Sequence, residues 1–197
     1  MEAKSDGRIR PLVDLHFRND NTQADHTEIP EQNPILTAVA RGRFRSKIDL
    51  SDAYFQTGVH PDDVKYNTIK TPVGGITSQV MMQGDMNAPG TFVRSMEDVF
   101  HDEFGKNIWV YIDDIFAFSD TFEEDVKDVR NACSKLQNAG YYANPKKSVF
   151  FATKLNILVH MIDDDGIRPA PEKIRNIMDW TRPESQKELK RFNGMVK

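Results

Sequence analysis

Two consecutive aspartates, Asp113 and Asp114, stand in the middle of an apolar run from Ile108 to Phe118. Such a run indicates two short buried strands. Because an unpaired buried carboxylate is costly, the pair requires a cation or a turn that lifts it into a cleft. Successive strand residues face opposite sides, so we expect the pair at a hairpin tip. Asp-Asp is a poor tight turn, which favours a metal site over two solvated turn carboxylates.

Residue types that commonly bind metals also occur elsewhere in the chain, where we interpret them differently. Asp163 to Asp165 carry more charge, but Gly166 follows them between short apolar stretches, and Asp-Gly is typical of an ordinary turn. The histidines show no ligand spacing, and we assign them no metal; they are His16, His26, His60, His101 and His160.

The composition excludes several classes of protein. The single cysteine, Cys133, rules out a disulfide framework within the chain and a cysteine zinc cluster. It falls on an apolar helical stripe, where we expect a small core residue. The chain has no apolar stretch of membrane length and no signal-peptide core at its start, which predicts an intracellular protein without a membrane partner.

The net charge of -4 at pH 7 is awkward for a nucleic-acid binder, because phosphate contacts depend on Lys and Arg. Basic residues nevertheless gather in two groups, Lys4, Arg8 and Arg10, and Arg41, Arg43, Arg45 and Lys47. The pattern is compatible with a basic face on an acidic protein and equally with solvated edges.

Apolar periodicity and turn signals predict an α+β fold, an antiparallel sheet with helices packed on one face. The predicted helices are 35–39, 87–104, 122–139, 171–180 and 184–197, and the third should turn Val126, Val129, Cys133 and Leu136 inward. The predicted strands are 8–15, 44–50, 64–71, 76–82, 149–152 and 157–162, with a hairpin at Gly74 and Gly75.

A third carboxylate, Asp49, ends the apolar strand that begins at Phe44. The intervening elements can place this strand beside the Asp113 hairpin in one antiparallel sheet. Three carboxylates would then surround two divalent cations, and oxygen ligands favour magnesium or manganese over zinc.

Tyr111, Ile112, Asp113 and Asp114 resemble the Tyr-x-Asp-Asp box of reverse transcriptases. Segments 47–56, 83–92 and 162–167 resemble the polyprotein of gypsy-type LTR retrotransposons, in order and over almost the whole chain. The resemblance implies a right-hand polymerase: 1–48 as partial, N-terminally truncated fingers, 49–165 as palm with a fingers insertion around 62–90, and 166–197 as the start of a thumb or connection. We therefore expect a piece of a longer polypeptide.

The resemblance implies that Asp49, Asp113 and Asp114 are catalytic and hold two Mg²⁺ ions, with Mn²⁺ as a substitute and the Leu50 carbonyl as a further ligand. Tyr54 matches an aromatic that collides with a 2′ hydroxyl and so favours dNTPs; a core aromatic is the alternative.

Five further residues take nucleotide or catalytic roles from the resemblance. Gln83 matches a glutamine that touches the nucleotide sugar and 3′ hydroxyl, and Gly84 lets the backbone come close. Lys4 and Arg10 match residues that grip the triphosphate. Lys147 matches a lysine that protonates the pyrophosphate, and the neighbouring Lys146 leaves that assignment ambiguous.

The chain departs from the family pattern at His16, Tyr66, Asn67, Val159 and Asn193. Val159 matters most, because it replaces the glycine of the primer-grip turn and its β-branching resists the backbone freedom of glycine. These departures leave open a catalytically impaired or domesticated fragment that keeps the palm fold and at most binds nucleic acid.

The expected function is extension of a primer 3′ hydroxyl with dNTPs on an RNA or DNA template. RNA-directed RNA synthesis is disfavoured by Tyr54. The parent polyprotein is expected to include protease, ribonuclease H and integrase and to reside in cytoplasmic virus-like particles. The oligomeric state is not determined by the sequence.

Overall fold

The structure is a computed structural model that describes residues 13–196 in full and the backbone of two paired strands, β1 (Glu2–Ala3) and β2 (Ile9–Arg10). Two predicted triphosphate ligands fall at this end of the chain. Lys4 lies outside the described residues, and of Arg10 only the backbone is described.

The remaining elements have the following bounds. The helices are α1 (His16–Asp20), α2 (Gln32–Arg41), α3 (Ala88–Val99), α4 (Phe122–Asn138), α5 (Pro171–Met178) and α6 (Gln186–Val196). The strands are β3 (Phe44–Asp49), β4 (Thr68–Thr71), β5 (Gly74–Thr77), β6 (Ile108–Tyr111), β7 (Asp114–Ser119), β8 (Val149–Ala152), β9 (Leu155–Ile157), β10 (His160–Asp163) and β11 (Gly166–Pro169). None of the described helices is long and apolar enough to cross a membrane.

A four-stranded antiparallel sheet in the order β6-β7-β3-β8 forms the centre of the fold. Its residues alternate between two faces. Ile48, Ile108, Val110 and Ile115 lie on one face and pack against buried residues of α3 and α4, namely Phe92, Met96, Ala132 and Leu136. This layer is the larger part of the core.

The opposite face of the central sheet is also covered at one end. Phe116 and Phe118 of β7 pack against Ile35 and Val39 of α2 and against the small antiparallel sheet β11-β10-β9. The α+β fold with an antiparallel sheet is confirmed. The layer formed by α2 and the small sheet covers one end of the face that also carries Asp49 and Asp114.

The inward face of α4 differs from the prediction. Its buried residues are Asp125, Val129, Ala132 and Leu136, whereas Cys133 is exposed. The prediction for Cys133 was wrong, because the stripe runs through Asp125, and this buried carboxylate accepts a hydrogen bond from the Ser46 hydroxyl (2.7 Å).

Two predicted strands are also corrected. In segment 8–15 the described strand covers only Ile9–Arg10, and the chain enters α1 at His16. The β4–β5 hairpin turns at Pro72 and Val73, whereas the predicted turn glycines belong to β5. Proline fixes the φ of the first central turn position, which explains the shift.

The predicted strand 157–162 is interrupted by a two-residue turn, Leu158 and Val159, between β9 and β10. Both residues have positive φ, 49° and 57°. A hairpin turn of this type favours asparagine and glycine, so the branched Val159 is strained at a position where the resemblance described above implies glycine.

Val159→Gly is therefore expected to stabilise the fold by about 1 kcal/mol, by releasing backbone strain. Little packing is lost, because Val159 is 61% exposed. Urea unfolding measures the change. Val73→Gly is the matched control, since Val73 lies in another exposed hairpin turn without positive φ, and it should not stabilise. An unchanged or lower stability of Val159→Gly would contradict the strain.

Candidate active site

The hairpin of β6 and β7 positions the two adjacent aspartates. Ile112 and Asp113 form its two-residue turn, and Asp114 is the first residue of β7, so the predicted bend is confirmed. Ile112 has a φ of 54°, a strained conformation for a β-branched residue. Asp113 is exposed at the tip, and Asp114 is half-buried.

Asp49, the last residue of β3, is paired directly with Asp114. Side chains opposite each other in an antiparallel pair share a face and lie about 5 Å apart at Cβ. Burial raises the pKa of Asp49 and of Asp114, and the charge of Asp113 raises both further. The three carboxylates are therefore close enough to influence one another electrostatically.

Lys47 is the cation nearest to Asp114 in this arrangement. Its Nζ donates a hydrogen bond to Asp114 Oδ2 at 2.7 Å, and the two side chains are only 21% and 20% exposed. Lys47 lies two residues before Asp49 on β3, so both face the same side of the sheet. Its charge opposes the effect of burial on the pKa of both carboxyls.

Within the described residues, no three His, Cys, Asp or Glu side chains form a group that could hold a metal ion. The predicted triad is thus placed at one edge of the sheet without being closed into a ligand cluster. Like charges repel when no counter-charge lies between them, and Asp114 is instead turned towards Lys47. The donor atoms are nevertheless all carboxylate oxygens, which suit Mg²⁺ or Mn²⁺.

The backbone pairing next to Asp49 does not use the carbonyl of Leu50, the predicted further ligand. Leu50 pairs with Ala143 in an isolated antiparallel bridge. The bridge is closed by Asn144 N to Asp49 O (2.7 Å) and by the amide after Leu50. A pair of this type does not use its own carbonyls, so the bridge does not engage the Leu50 oxygen.

Tyr54 lies in a short 3-10 helix, Ala53–Gln56, directly after the Asp49 strand. Its ring packs edge-to-face against Phe92 with the centroids 5.9 Å apart. Burial raises the pKa of the Tyr54 hydroxyl, and the charge of Asp113 adds to this. The ring therefore borders the core and also lies within electrostatic range of the site.

Gln83 and Gly84 form a turn near the Tyr54 helix. Met81 N donates to Thr57 O at 2.9 Å, which aligns the chain before the turn with the chain after Tyr54. Gly84 has a φ of 96°, a conformation that glycine adopts without strain.

The predicted lysine lies in a turn attached to Asp49. Besides the Asn144 contact, Asp49 N donates to Ser148 Oγ at 3.1 Å. Lys147 is exposed in this turn, and among cations its charge has the largest effect on the pKa of Asp49, lowering it against burial. This proximity favours Lys147 over Lys146.

Sequence reasoning missed one member of the site and part of its surroundings. Lys47 was noted within a basic group and at the start of segment 47–56 without a role of its own, although its two-residue spacing from Asp49 was a usable signal. Arg18 and Asn19, which contact the turn at Gly84 and Asp85, had no such signal, because these contacts join segments distant in the chain.

Residues 3–162 match the protein family described as "Reverse transcriptase (RNA-dependent DNA polymerase)". A Drosophila melanogaster relative, "Retrovirus-related Pol polyprotein from transposon opus", is 32% identical over 96% of this chain and 19% of its own length. "Transposon Tf2-3 polyprotein" of Schizosaccharomyces pombe is 27% identical over 98% of this chain and 14% of its own length. The chain thus spans less than a fifth of either relative.

Solved structures agree with this family match. The foamy viral protease-reverse transcriptase dRH in complex with double-stranded DNA has a TM-score of 0.90 and 26% identity, over 98% of this chain and 34% of that one. The foamy viral protease-reverse transcriptase with an RNA/DNA hybrid has a TM-score of 0.83 and 25% identity, over 93% and 25%. The predicted polymerase fold is confirmed by this similarity.

Proposed function

The chain belongs to the reverse transcriptase family, and on that premise we propose that it extends a primer 3′ hydroxyl with dNTPs on an RNA or DNA template. The observation that carries the proposal is the register that sets Asp49 opposite Asp114, beside the Asp113 turn. Carboxylates brought together from distant segments, two of them partly buried, are suited to phosphoryl chemistry and poorly suited to a purely structural role.

We propose that these carboxylates hold two Mg²⁺ ions, with Mn²⁺ as a substitute. Asp49, Asp113 and Asp114 would be the carboxylate ligands, and the Leu50 carbonyl a further one. When bound, the ions act as Lewis acids that would ease deprotonation of the attacking 3′ hydroxyl and stabilise the negative charge on the leaving pyrophosphate. Lys47 compensates the charge of Asp114 in their absence. Lys147, whose charge acts on Asp49, would donate its proton to the pyrophosphate.

The nucleotide is assigned to the space between the Tyr54 helix, the Gln83–Gly84 turn and the carboxylates. The Tyr54 ring, backed by Phe92, would exclude a 2′ hydroxyl sterically. Gln83 and Gly84 would contact the sugar, and Lys4 and Arg10 would grip the triphosphate.

The division of the chain into subdomains is part of the same proposal. Fingers, palm and the start of a thumb or connection follow the predicted order, with one change. Because β3 pairs with β7 from Phe44 to Asp49, the palm begins at Phe44 rather than at 49. The relatives are polyproteins, so we place this unit in a longer chain with protease, ribonuclease H and integrase, in cytoplasmic particles.

Primer extension tests the sugar gate. Tyr54→Val is expected to raise incorporation of rNTPs relative to dNTPs by about tenfold to a hundredfold, because the steric exclusion of a 2′ hydroxyl is lost. The assay uses an RNA template, a DNA primer and Mg²⁺. Tyr66→Val is the control, since Tyr66 is exposed and contacts Lys65. Unchanged sugar preference in Tyr54→Val would remove the gate assignment.

Lys47→Met links the site to stability. Without divalent ions it should lower the free energy of unfolding by about 2 kcal/mol, because Asp114 loses its compensating charge. Mg²⁺ should then raise the Tm of the variant more than that of the wild type, since Lys47 no longer competes for Asp114. Calorimetry measures both, with exposed Lys146→Met as the control. Equal Mg²⁺ shifts in all three proteins would contradict this competition.

A further inference from the structure

Helix α1 contacts the Gln83–Gly84 turn through two consecutive side chains. We propose that Arg18 and Asn19 form a clamp that holds this turn in its nucleotide-binding shape and thereby sets the affinity for the incoming nucleotide. The inference rests on the proposed function of Gln83 and Gly84, and it adds two positioning residues that act through the turn.

Asn19 grips the backbone on both sides of Asp85. Its Nδ2 donates to Gly84 O at 2.9 Å, and its Oδ1 accepts a hydrogen bond from Met86 N at 3.2 Å. An amide side chain that both donates and accepts in this way satisfies two backbone groups and fixes their separation. The peptide units that flank Asp85 are therefore held in one geometry.

Arg18 holds the side chain of Asp85, the residue that follows the Gln83–Gly84 turn. Its guanidinium donates to Asp85 Oδ2 at 2.6 Å and also to Asn67 Oδ1. Asn67 is buried and donates to Ser78 O and Val80 O, both at 2.9 Å. Arg18 thus connects the turn to the segment that precedes it. The Arg18 and Asp85 side chains are only 22% and 23% exposed, which limits screening by solvent.

The turn has weak internal restraints of its own. Gly84 has access to a wide range of backbone conformations, and the hydrogen bond from Asp85 N to Met82 O is long, at 3.3 Å. Asp85 also accepts hydrogen bonds from Ala88 N at 3.2 Å and from Asn87 N at 3.3 Å, which are likewise long. The contacts from α1, at 2.6 and 2.9 Å, are therefore the shortest hydrogen bonds to the turn. A nucleotide that binds only the ordered turn loses affinity in proportion to the fraction that is ordered.

A neighbouring set of contacts provides a matched control. Asp25 pairs with Arg94 of α3 and accepts hydrogen bonds from Thr27. This pair attaches the chain after α1 to α3, but it joins no atom of the turn. Arg94→Met therefore breaks an ion pair that makes no direct contact with residues 83–86, although Arg94 is more exposed than Arg18. The hydrogen bond from Asp25 N to Asn87 Oδ1 (3.0 Å) does not involve the Arg94 side chain.

Steady-state primer extension separates positioning from folding. In Arg18→Met and Asn19→Ala we expect the KM for dNTP to rise about tenfold, with kcat and the Kd for template–primer unchanged. Arg18→Lys should recover only part of the loss, because an ammonium keeps the charge beside Asp85 but cannot bond Asn67 and Asp85 in the fork geometry of a guanidinium. Arg94→Met should leave KM unchanged. A lower Tm without a change in KM would make the clamp a folding contact only and overturn the inference.

Hydrogen exchange distinguishes failure of the clamp from failure of the proposed function. If the wild type does not extend a primer, the proposed function fails, and the clamp is judged from the amides of residues 84–86. Exchange there about tenfold faster in Arg18→Met and Asn19→Ala than in Arg94→Met supports the clamp. Equal exchange in all variants overturns it.

Discussion

Asp113→Asn is expected to lower the rate of primer extension by about 1000-fold or more, because it removes one of three carboxylates at the reacting centre. The side chain is exposed at the hairpin tip and supports little of the fold, so the variant should unfold at nearly the wild-type urea concentration. Single-nucleotide incorporation on an RNA template with Mg²⁺ measures the rate, and circular dichroism checks the fold.

The matched control for this variant is Asp165→Asn. Asp165 lies in the other acidic turn, is 84% exposed and lies 3.8 Å from Arg168. Asp165→Asn removes the same charge as Asp113→Asn, at a position far along the chain from the β6–β7 hairpin. This variant should extend primers at the wild-type rate. Equal rates for Asp113→Asn and the wild type would mean that the site formed by Asp49, Asp113 and Asp114 does not perform the reaction.

Arg45→Met is expected to lower the free energy of unfolding by about 3 kcal/mol or more, because several buried backbone carbonyls lose their donor and each unsatisfied group costs about 1–3 kcal/mol. Arg45 is 1% exposed, and its guanidinium donates to five backbone carbonyls. They belong to Val39, Ala40, Arg43, Thr153 and Asp163. A single side chain thereby joins the end of α2 to the turns on either side of β9 and β10.

Urea unfolding of Arg45→Met and of Arg43→Met provides the comparison. Arg43 is exposed and lies over the Phe44 ring with Cζ 5.8 Å from the centroid, a contact worth about 0.5–1 kcal/mol at an exposed site. Similar losses for the two variants would contradict the view that Arg45 holds the small sheet against α2.

The positions of Asp49, Asp113 and Asp114 at neighbouring strand ends could be predicted from the sequence because their signals are local. Two acids within an apolar run require a bend, and the turn lies at Ile112 and Asp113. Asp49 at the end of another apolar strand then needs only the antiparallel register, which the structure provides. The roles of Tyr54 and Lys147 could not be predicted from local signals and came from the resemblance, in which both residues match by their order along the chain.

The parts that could not be predicted depend on partners distant in sequence. Arg45 looks like a surface residue in a basic group, yet carbonyls from three separate segments satisfy it in the interior. Cys133 fitted an apolar stripe, but the buried Asp125 shows that α4 is rotated away from it. The predicted strand 157–162 is interrupted because β9 and β10 pair with each other, which requires a turn at Leu158 and Val159 that a β-branched side chain disfavours.

Anomalous diffraction from crystals with Mn²⁺, template–primer and a non-extendable dNTP would show whether the three carboxylates bind the metal ions beside the nucleotide. We expect manganese peaks about 2 Å from carboxylate oxygens of Asp49, Asp113 and Asp114, with Lys47 withdrawn from Asp114. Peaks elsewhere, or an Asp114 still bonded to Lys47 beside a bound nucleotide, would contradict the proposed metal site.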